Sequence, residues 1–262
     1  MLEDKKKFID FSNKNVLITG GSRGIGKACA KLFAQLNADV IITYKTNIQN
    51  AKQTLSELDN RGNNHNIFQL DISSPNKVKI FFDDLIKTYN KIDVLINNAA
   101  IYVKHKINEV SYEEWQRSWG DTISTNLTGI SNLCYFVSRQ MIGNGGGKII
   151  NISSRGAFRG EPDYPAYGAS KAGLNSFSQS LAKALAPYNI IVGVIAPGFV
   201  ETDMAEGLIH GPDGAEIKKQ SPLNRVAKPE EIARIAAVFA ADGFEYMTGA
   251  IIDINGASYL RT

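Results

Sequence analysis

Tyr167 and Lys171 stand four residues apart in the stretch YPAYGASKAG, residues 164–173. On a helix that spacing puts both side chains on one face. An ammonium beside a phenol favours phenolate and draws the ordinary tyrosine pKa of about 10 toward neutrality. A tyrosine so placed can give or take a proton near pH 7, which is general acid–base chemistry. The spacing alone decides nothing: a chain with ten tyrosines and twenty lysines produces it by chance about as often as not, and Tyr102 with Lys106 is a second instance. What separates a working pair from a coincidence is what the rest of the chain places beside it.

A second set of residues with chemical meaning lies near the start. The apolar run NVLI leads into TGGSRGIGKACAKLFAQL, residues 19–36. Gly20, Gly24 and Gly26 fall where a strand turns tightly into a helix and lets a ligand approach the backbone. The free N–H groups and partial positive charge of the helix start then face a bound phosphate. The other glycine cluster, GNGGGK at 143–148, is followed by Ile149 where a phosphate-loop lysine motif needs Ser or Thr, so it reads as a helix-to-strand loop.

Stepping outward, the elements that must carry these residues alternate. NVLITG, DVIITY, IFQLDI, DVLINN, GKIINIS, IIVGVIAPG and GAIIDING are short, apolar and β-branched, as strands buried on both faces are. Between them lie helix-like segments at 26–36, 48–59, 77–89, 112–141, 167–186 and 229–241. The alternation predicts a single-domain, doubly wound α/β fold: a parallel sheet of about seven strands with helices on both faces. Residues 1–13 read as a short N-terminal extension, and about 205–225, rich in Gly, Pro and charge, as a substrate lid.

Composition narrows the partners. A formal charge of +3 over 262 residues argues against nucleic acid or an anionic membrane surface. No apolar run is long enough to span a bilayer or to serve as an export signal. Cys29 and Cys134 make no disulfide framework, which fits a reducing cytoplasm. His65, His105 and His210 are scattered, with no metal-ligand spacing; no metal is expected, and each reads as an ordinary surface or loop residue.

The chain resembles the short-chain dehydrogenase/reductase family. Thr19 to Gly26 matches its cofactor turn, Thr-Gly-x-x-x-Gly-x-Gly, and NNAA at 97–100 resembles its Asn-Asn-Ala-Gly with Ala100 in place of the glycine. Family enzymes carry Tyr-x-x-x-Lys with a serine ahead of it, and Ser154 stands thirteen residues before Tyr167. Tyr102 has no serine at that distance and reads as the decoy; Ser153 is the competing serine. An asparagine in a mid-chain helix falls on Asn126, within TNLTG. The resemblance implies a catalytic set of Asn126, Ser154, Tyr167 and Lys171. Tyr167 would exchange the proton, Ser154 fix the substrate oxygen, Lys171 favour tyrosinate and hold the nicotinamide ribose, and Asn126 support a water-mediated proton path. It also implies cofactor contacts from Gly20, Ser22, Arg23, Gly24, Ile25, Gly26, Tyr44, Lys45, Asp71, Ile72, Asn98, Ala99, Tyr167, Lys171, Pro197, Gly198, Val200 and Thr202. It covers the chain from about Lys14 to TGAIIDINGA, outside the extension and the lid.

Enzymes that choose NAD commonly place an acid at the end of the second strand, where it repels a 2′-phosphate. Here Tyr44 holds that place, Lys45 follows, and Arg23 lies in the glycine turn. Two cations and no acid predict NADP(H) over NAD(H). PLNRVAKPEEIA and TGAIIDINGA resemble the 3-oxoacyl-acyl-carrier-protein reductase branch, which implies an acyl thioester substrate; oxidation of a small sugar or polyol is the alternative within catalysis. A non-catalytic nucleotide-binding sensor is the alternative outside it, and it expects a broken catalytic set. Arg155, Arg159 and Glu161 read as solvated charges near the mouth of the site. Family members associate, so a homodimer or homotetramer through the helices at 112–141 and 167–186 is expected.

Overall fold

The computed structural model describes residues 9–261; the first eight residues of the expected extension lie outside that range. Seven strands, β1 (Asn15–Ile18), β2 (Asp39–Tyr44), β3 (Asn66–Gln69), β4 (Val94–Asn97), β5 (Gly147–Ile152), β6 (Ile190–Pro197) and β7 (Ile251–Ile254), alternate with helices α1 (Gly24–Gln35), α2 (Ile48–Ser56), α3 (Pro75–Tyr89), α4 (Tyr112–Ile123), α5 (Gly129–Gly143), α6 (Gly156–Arg159), α7 (Pro165–Leu185), α8 (Glu206–Ile209), α9 (Gly214–Lys219) and α10 (Pro229–Ala240). The sheet order is β3-β2-β1-β4-β5-β6-β7 with each neighbour parallel, the doubly wound arrangement expected.

Strand periodicity explains the two layers. Val16, Ile18, Val40, Ile42, Ile150 and Ile152 point to one face, against Phe33 of α1 and Ala236 of α10. Leu17, Ile41, Leu95 and Ile149 point to the other, against Leu85 of α3, Leu133 of α5 and Leu174 of α7. Because both faces are covered, the strands read as continuous apolar runs with no polar alternation. Cys29 and Cys134 are buried in these layers as free thiols, and burial pushes both up to about 12, away from reactivity.

Helix boundaries follow local chemistry. Proline at the first turn starts α3, α7 and α10. Ser111 and Glu114 cap α4 reciprocally, the Ser111 N–H donating to Glu114 Oε2 at 2.9 Å and the Glu114 N–H to Ser111 Oγ at 3.2 Å. The sequence expects one helix over 112–141; the structure breaks it with a π-helical turn at Ser124–Thr128, in which the Gly129 N–H reaches back to the Ser124 carbonyl. Phe11, within the expected extension, is buried and packs on Phe33 with ring centroids 4.7 Å apart. Among the described residues, no helix is long and apolar enough to cross a membrane.

Candidate active site

Strand order reverses between β1 and β4, so the loops leaving their carboxyl ends diverge and leave a crevice. A cavity of about 450 Å³ opens there, and of the expected catalytic and cofactor residues all but Gly26 and Asn126 line it. Its floor is the glycine turn. Gly20 and Gly24 have φ of +64° and +52°, a region that side chains resist. A Cβ on Gly26 would stand 2.3 Å from the Gly20 carbonyl oxygen and 2.6 Å from Asn98 Nδ2. Asn98 holds the turn from β4, its amide donating to the Thr19 and Gly20 carbonyls at 3.0 Å, while the Asn98 and Ala99 N–H groups both donate to Thr19 Oγ1 at 3.0 Å. The start of α1 has no side-chain cap and no acidic residue in its first turn, so its open N–H groups and positive end face the cavity. That donor set fits a dinucleotide phosphate.

The opposite wall carries the proton chemistry. Ser153 and Ser154 follow β5; Ser153 Oγ turns toward the Lys171 carbonyl at 3.4 Å, whereas Ser154 Oγ accepts from the Gly156 N–H at 3.0 Å and lies close enough to the Tyr167 phenol to pull its pKa down. Of the two serines, Ser154 is the one that acts on the phenol. Lys171, one turn along α7 from Tyr167, is buried, donates to the Ile152 carbonyl at 2.8 Å, and lies 5.7 Å from the Tyr167 ring centroid. Asn126, fully buried in the π turn, donates to the Ile101 carbonyl at 2.9 Å and to Ser170 Oγ at 3.3 Å, and accepts from the Ile101 N–H at 2.8 Å. Its amide ties the loop after β4 to α7 and does not touch Lys171 directly.

Burial, more than the lysine, sets the protonation states. It pushes the Tyr167 phenol up to about 12, with the Ser154 hydrogen bond pulling part of the way back, and it pulls the Lys171 ammonium down to about 8. This corrects the expectation that Lys171 draws the phenol toward neutrality in the free protein. At pH 7 the site holds a neutral phenol and a charged lysine, the pairing that a proton donor requires.

The model for the short chain dehydrogenase family matches residues 14–212. The chain belongs to that family. Among curated relatives, the 3-oxoacyl-acyl-carrier-protein reductase of Chlamydia trachomatis is 42% identical over 93% of this chain and 96% of its own. The reductase of the same name from Escherichia coli K12 is 36% identical over 96% and 100%. Among solved structures, a short chain dehydrogenase from Burkholderia cenocepacia in complex with NADP superposes with a TM-score of 0.86 at 27% identity, covering 95% of this chain and 98% of the other.

Several readings change once the short chain dehydrogenase fold is assembled. The two cations of the glycine-turn end are not free: Lys45 Nζ lies 3.1 Å from Asp71 Oδ2 and Arg23 Nη1 3.7 Å from Asp203 Oδ2. Asp71 also accepts from Ser73 Oγ at 2.6 Å. Tyr102 is no bystander; its ring stacks on Tyr164 at 3.7 Å and meets the edge of Tyr167 at 4.6 Å between centroids, inside the cavity. Arg155 and Glu161 are not solvated: Arg155 is 4% exposed, and burial raises the Glu161 carboxyl. His105, read as a surface or loop residue, lies in a loop but is buried; its Nδ1 donates to the Val103 carbonyl at 2.8 Å and its Nε2 accepts from the Ala166 N–H at 3.2 Å, bracing the start of α7 just before Tyr167. Within 205–225 lie α8 and α9, and Met204, Ala205 and Leu208 line the cavity.

Proposed function

We propose that this protein is an NADP(H)-dependent reductase of a carbonyl substrate, with a 3-oxoacyl thioester as the substrate class. The observation that carries the reading is the convergence of Ser154, Tyr167 and Lys171 on the same cavity as the glycine turn. The reductase names of its relatives support the substrate class, and the NADP held by the Burkholderia structure supports the cofactor. NADPH, when bound, supplies the hydride to the carbonyl carbon. Ser154 then orients the carbonyl oxygen, and Tyr167 delivers the proton that turns the developing alkoxide into an alcohol. Lys171 steadies the tyrosinate left behind and holds the nicotinamide ribose. Asn126 keeps the loop after β4 and α7 in register and supports the proton path through the lysine. All four residues are present, which sets aside a non-catalytic sensor.

The test of substrate class is a direct comparison of NADPH oxidation by 3-oxobutanoyl thioesters with NADP+ reduction by polyols and sugars. The thioester is expected to show a kcat/KM at least about tenfold higher; the reverse order moves the assignment to a sugar or polyol dehydrogenase. The reading carries with it a cytoplasmic setting and a homodimer or homotetramer through α4, α5 and α7; sedimentation as a monomer would count against that association.

Cofactor choice gives a second expected result. A 2′-phosphate would replace Asp71 and Asp203 as the partner of Lys45 and Arg23, all four half-exposed or more accessible than a core pair. The double substitution Arg23→Ala with Lys45→Ala is therefore expected to weaken NADPH by only about tenfold, as screened surface charges do, and NADH by less than about threefold. Titration of protein fluorescence with each cofactor measures it; equal weakening of both would remove these residues from 2′-phosphate recognition.

The pH profile follows from the two shifted groups. Lys171 carries its charge below about 8 and loses it as pH rises through that value, so carbonyl reduction is expected to hold level near neutrality and decline on the alkaline side. Alcohol oxidation needs tyrosinate, whose free-protein pKa lies at about 12, and is expected to rise with pH over the same range. Initial rates in both directions check this; parallel profiles would contradict it.

A further inference from the structure

The loop between α6 and α7 turns a charged group into the cavity that the proton chemistry does not use. Glu161 lines the cavity and is half-buried. Among the described residues its carboxylate makes no hydrogen bond and no ion pair, although burial raises its pKa against the pull of Arg159 and Arg155. The two arginines are turned elsewhere. Arg155 donates to Ser258 and, at 2.6 Å, to Gln220 Oε1, Arg159 reaches the same Gln220 oxygen at 3.2 Å, and Arg155 lies 4.9 Å over the Phe199 ring.

The carboxylate packs beside Gly156. Gly156 leaves the space it occupies: a Cβ there would stand 2.7 Å from Glu161 Oε1. The Gly156 N–H is the one that donates to Ser154 Oγ, so the carboxylate sits in the same turn as the group that holds the substrate oxygen. Tyr102 and Tyr164 wall the cavity beside it. A half-buried carboxylate without a hydrogen-bond donor is costly to cover with methylenes and gains from one.

We infer that Glu161 is a specificity-determining residue that accepts a hydrogen bond from an N–H or O–H of the substrate, so that the site selects carbonyl compounds bearing such a donor near the reacting group. The inference rests on the carbonyl-reductase reading and adds to it the polar feature the substrate must carry. Two sources supply that chemistry: the amide N–H of a pantetheine-like thioester arm, or a hydroxyl on the carbon next to the carbonyl.

Two matched pairs of substrates separate them. The N-acetylcysteamine thioester of 3-oxobutanoate carries the amide N–H that its S-butyl thioester lacks, and 1-hydroxy-2-butanone carries the hydroxyl that 2-butanone lacks. The native protein is expected to prefer the donor-bearing member of one pair by at least about tenfold in kcat/KM, and which pair identifies the source. Glu161→Leu is expected to collapse that ratio to about one, and Glu161→Gln, which keeps a neutral acceptor, to retain part of it. Gly156→Ala keeps the carboxylate and displaces it, and is expected to lower the same ratio. NADPH titration of each variant certifies that the cofactor half of the cavity is intact. A ratio unchanged in NADPH-binding Glu161→Leu, or no preference by the native protein within either pair, overturns the inference. If the native protein binds NADPH and reduces none of the four, the reductase reading itself fails and the inference falls with it.

Discussion

Tyr167→Phe is expected to lower kcat for carbonyl reduction by about 10²- to 10⁴-fold while changing the NADPH dissociation constant by less than about threefold. The substitution removes one oxygen and leaves the ring, so the edge contact with Tyr102 at 4.6 Å between centroids stays. What disappears is the hydroxyl whose protonation Ser154 influences. Hydride addition to a carbonyl without a proton donor leaves an alkoxide in a buried, low-dielectric site. Steady-state kinetics beside fluorescence titration of NADPH measure both quantities. Near-native turnover would remove Tyr167 from the proton-transfer role; lost NADPH binding would make it a cofactor residue first.

Gly26→Ala is expected to cost more in binding than in chemistry. Its Cβ would meet the Gly20 carbonyl oxygen at 2.3 Å and Asn98 Nδ2 at 2.6 Å, and one of those atoms is backbone that the turn cannot move cheaply. To admit the methyl group the turn must open away from α1, breaking the Asn98 amide bonds to the Thr19 and Gly20 carbonyls. Overpacking of this kind costs about 1–3 kcal/mol of stability. The open N–H groups at the start of α1 lose their aim as well, so NADPH affinity is expected to fall by about 100-fold. Thermal melting and cofactor titration check the two effects separately. Native affinity in Gly26→Ala would mean the turn does not hold the phosphates.

The parts of this fold that could be read from the sequence are those with a fixed period or spacing. Seven apolar runs separated by helical segments could form little other than a doubly wound sheet, and Gly20, Gly24 and Gly26 have the spacing of a strand-to-helix phosphate turn. Tyr167 and Lys171 stood out by their spacing, but only the resemblance to the family set them apart from Tyr102 and Lys106 and pointed to Ser154. The remainder depends on contacts made across the chain. The π turn around Asn126 has no compositional mark of its own, because it is a single turn inside a continuous helical segment. Lys45 and Arg23 meet Asp71 and Asp203 from distant parts of the sequence. Tyr102 lacks a serine at the expected distance, yet the loop after β4 folds back and stacks it on Tyr164. His105 lies in a loop, as read, but nothing in its neighbours shows that the Ala166 N–H and the Val103 carbonyl bury it.

Burial also reversed one inference drawn from spacing. A lysine one turn from a tyrosine lowers the phenol's pKa when both share water, but here each is desolvated and the lysine points to a carbonyl, so the phenol goes up and the ammonium down. Glu161 is visible only in the assembled cavity: nothing in SSRGAFRGEPDY signals that its carboxylate turns inward without a hydrogen-bond donor.

Reduction of a carbonyl with NADPH in this cavity is tested by following NADPH absorbance with the N-acetylcysteamine thioester of 3-oxobutanoate and analysing the product. One NADPH is expected to be consumed for each 3-hydroxybutanoyl thioester formed. NADPH bound by the protein but not consumed with this thioester or with any other carbonyl compound supplied would contradict it.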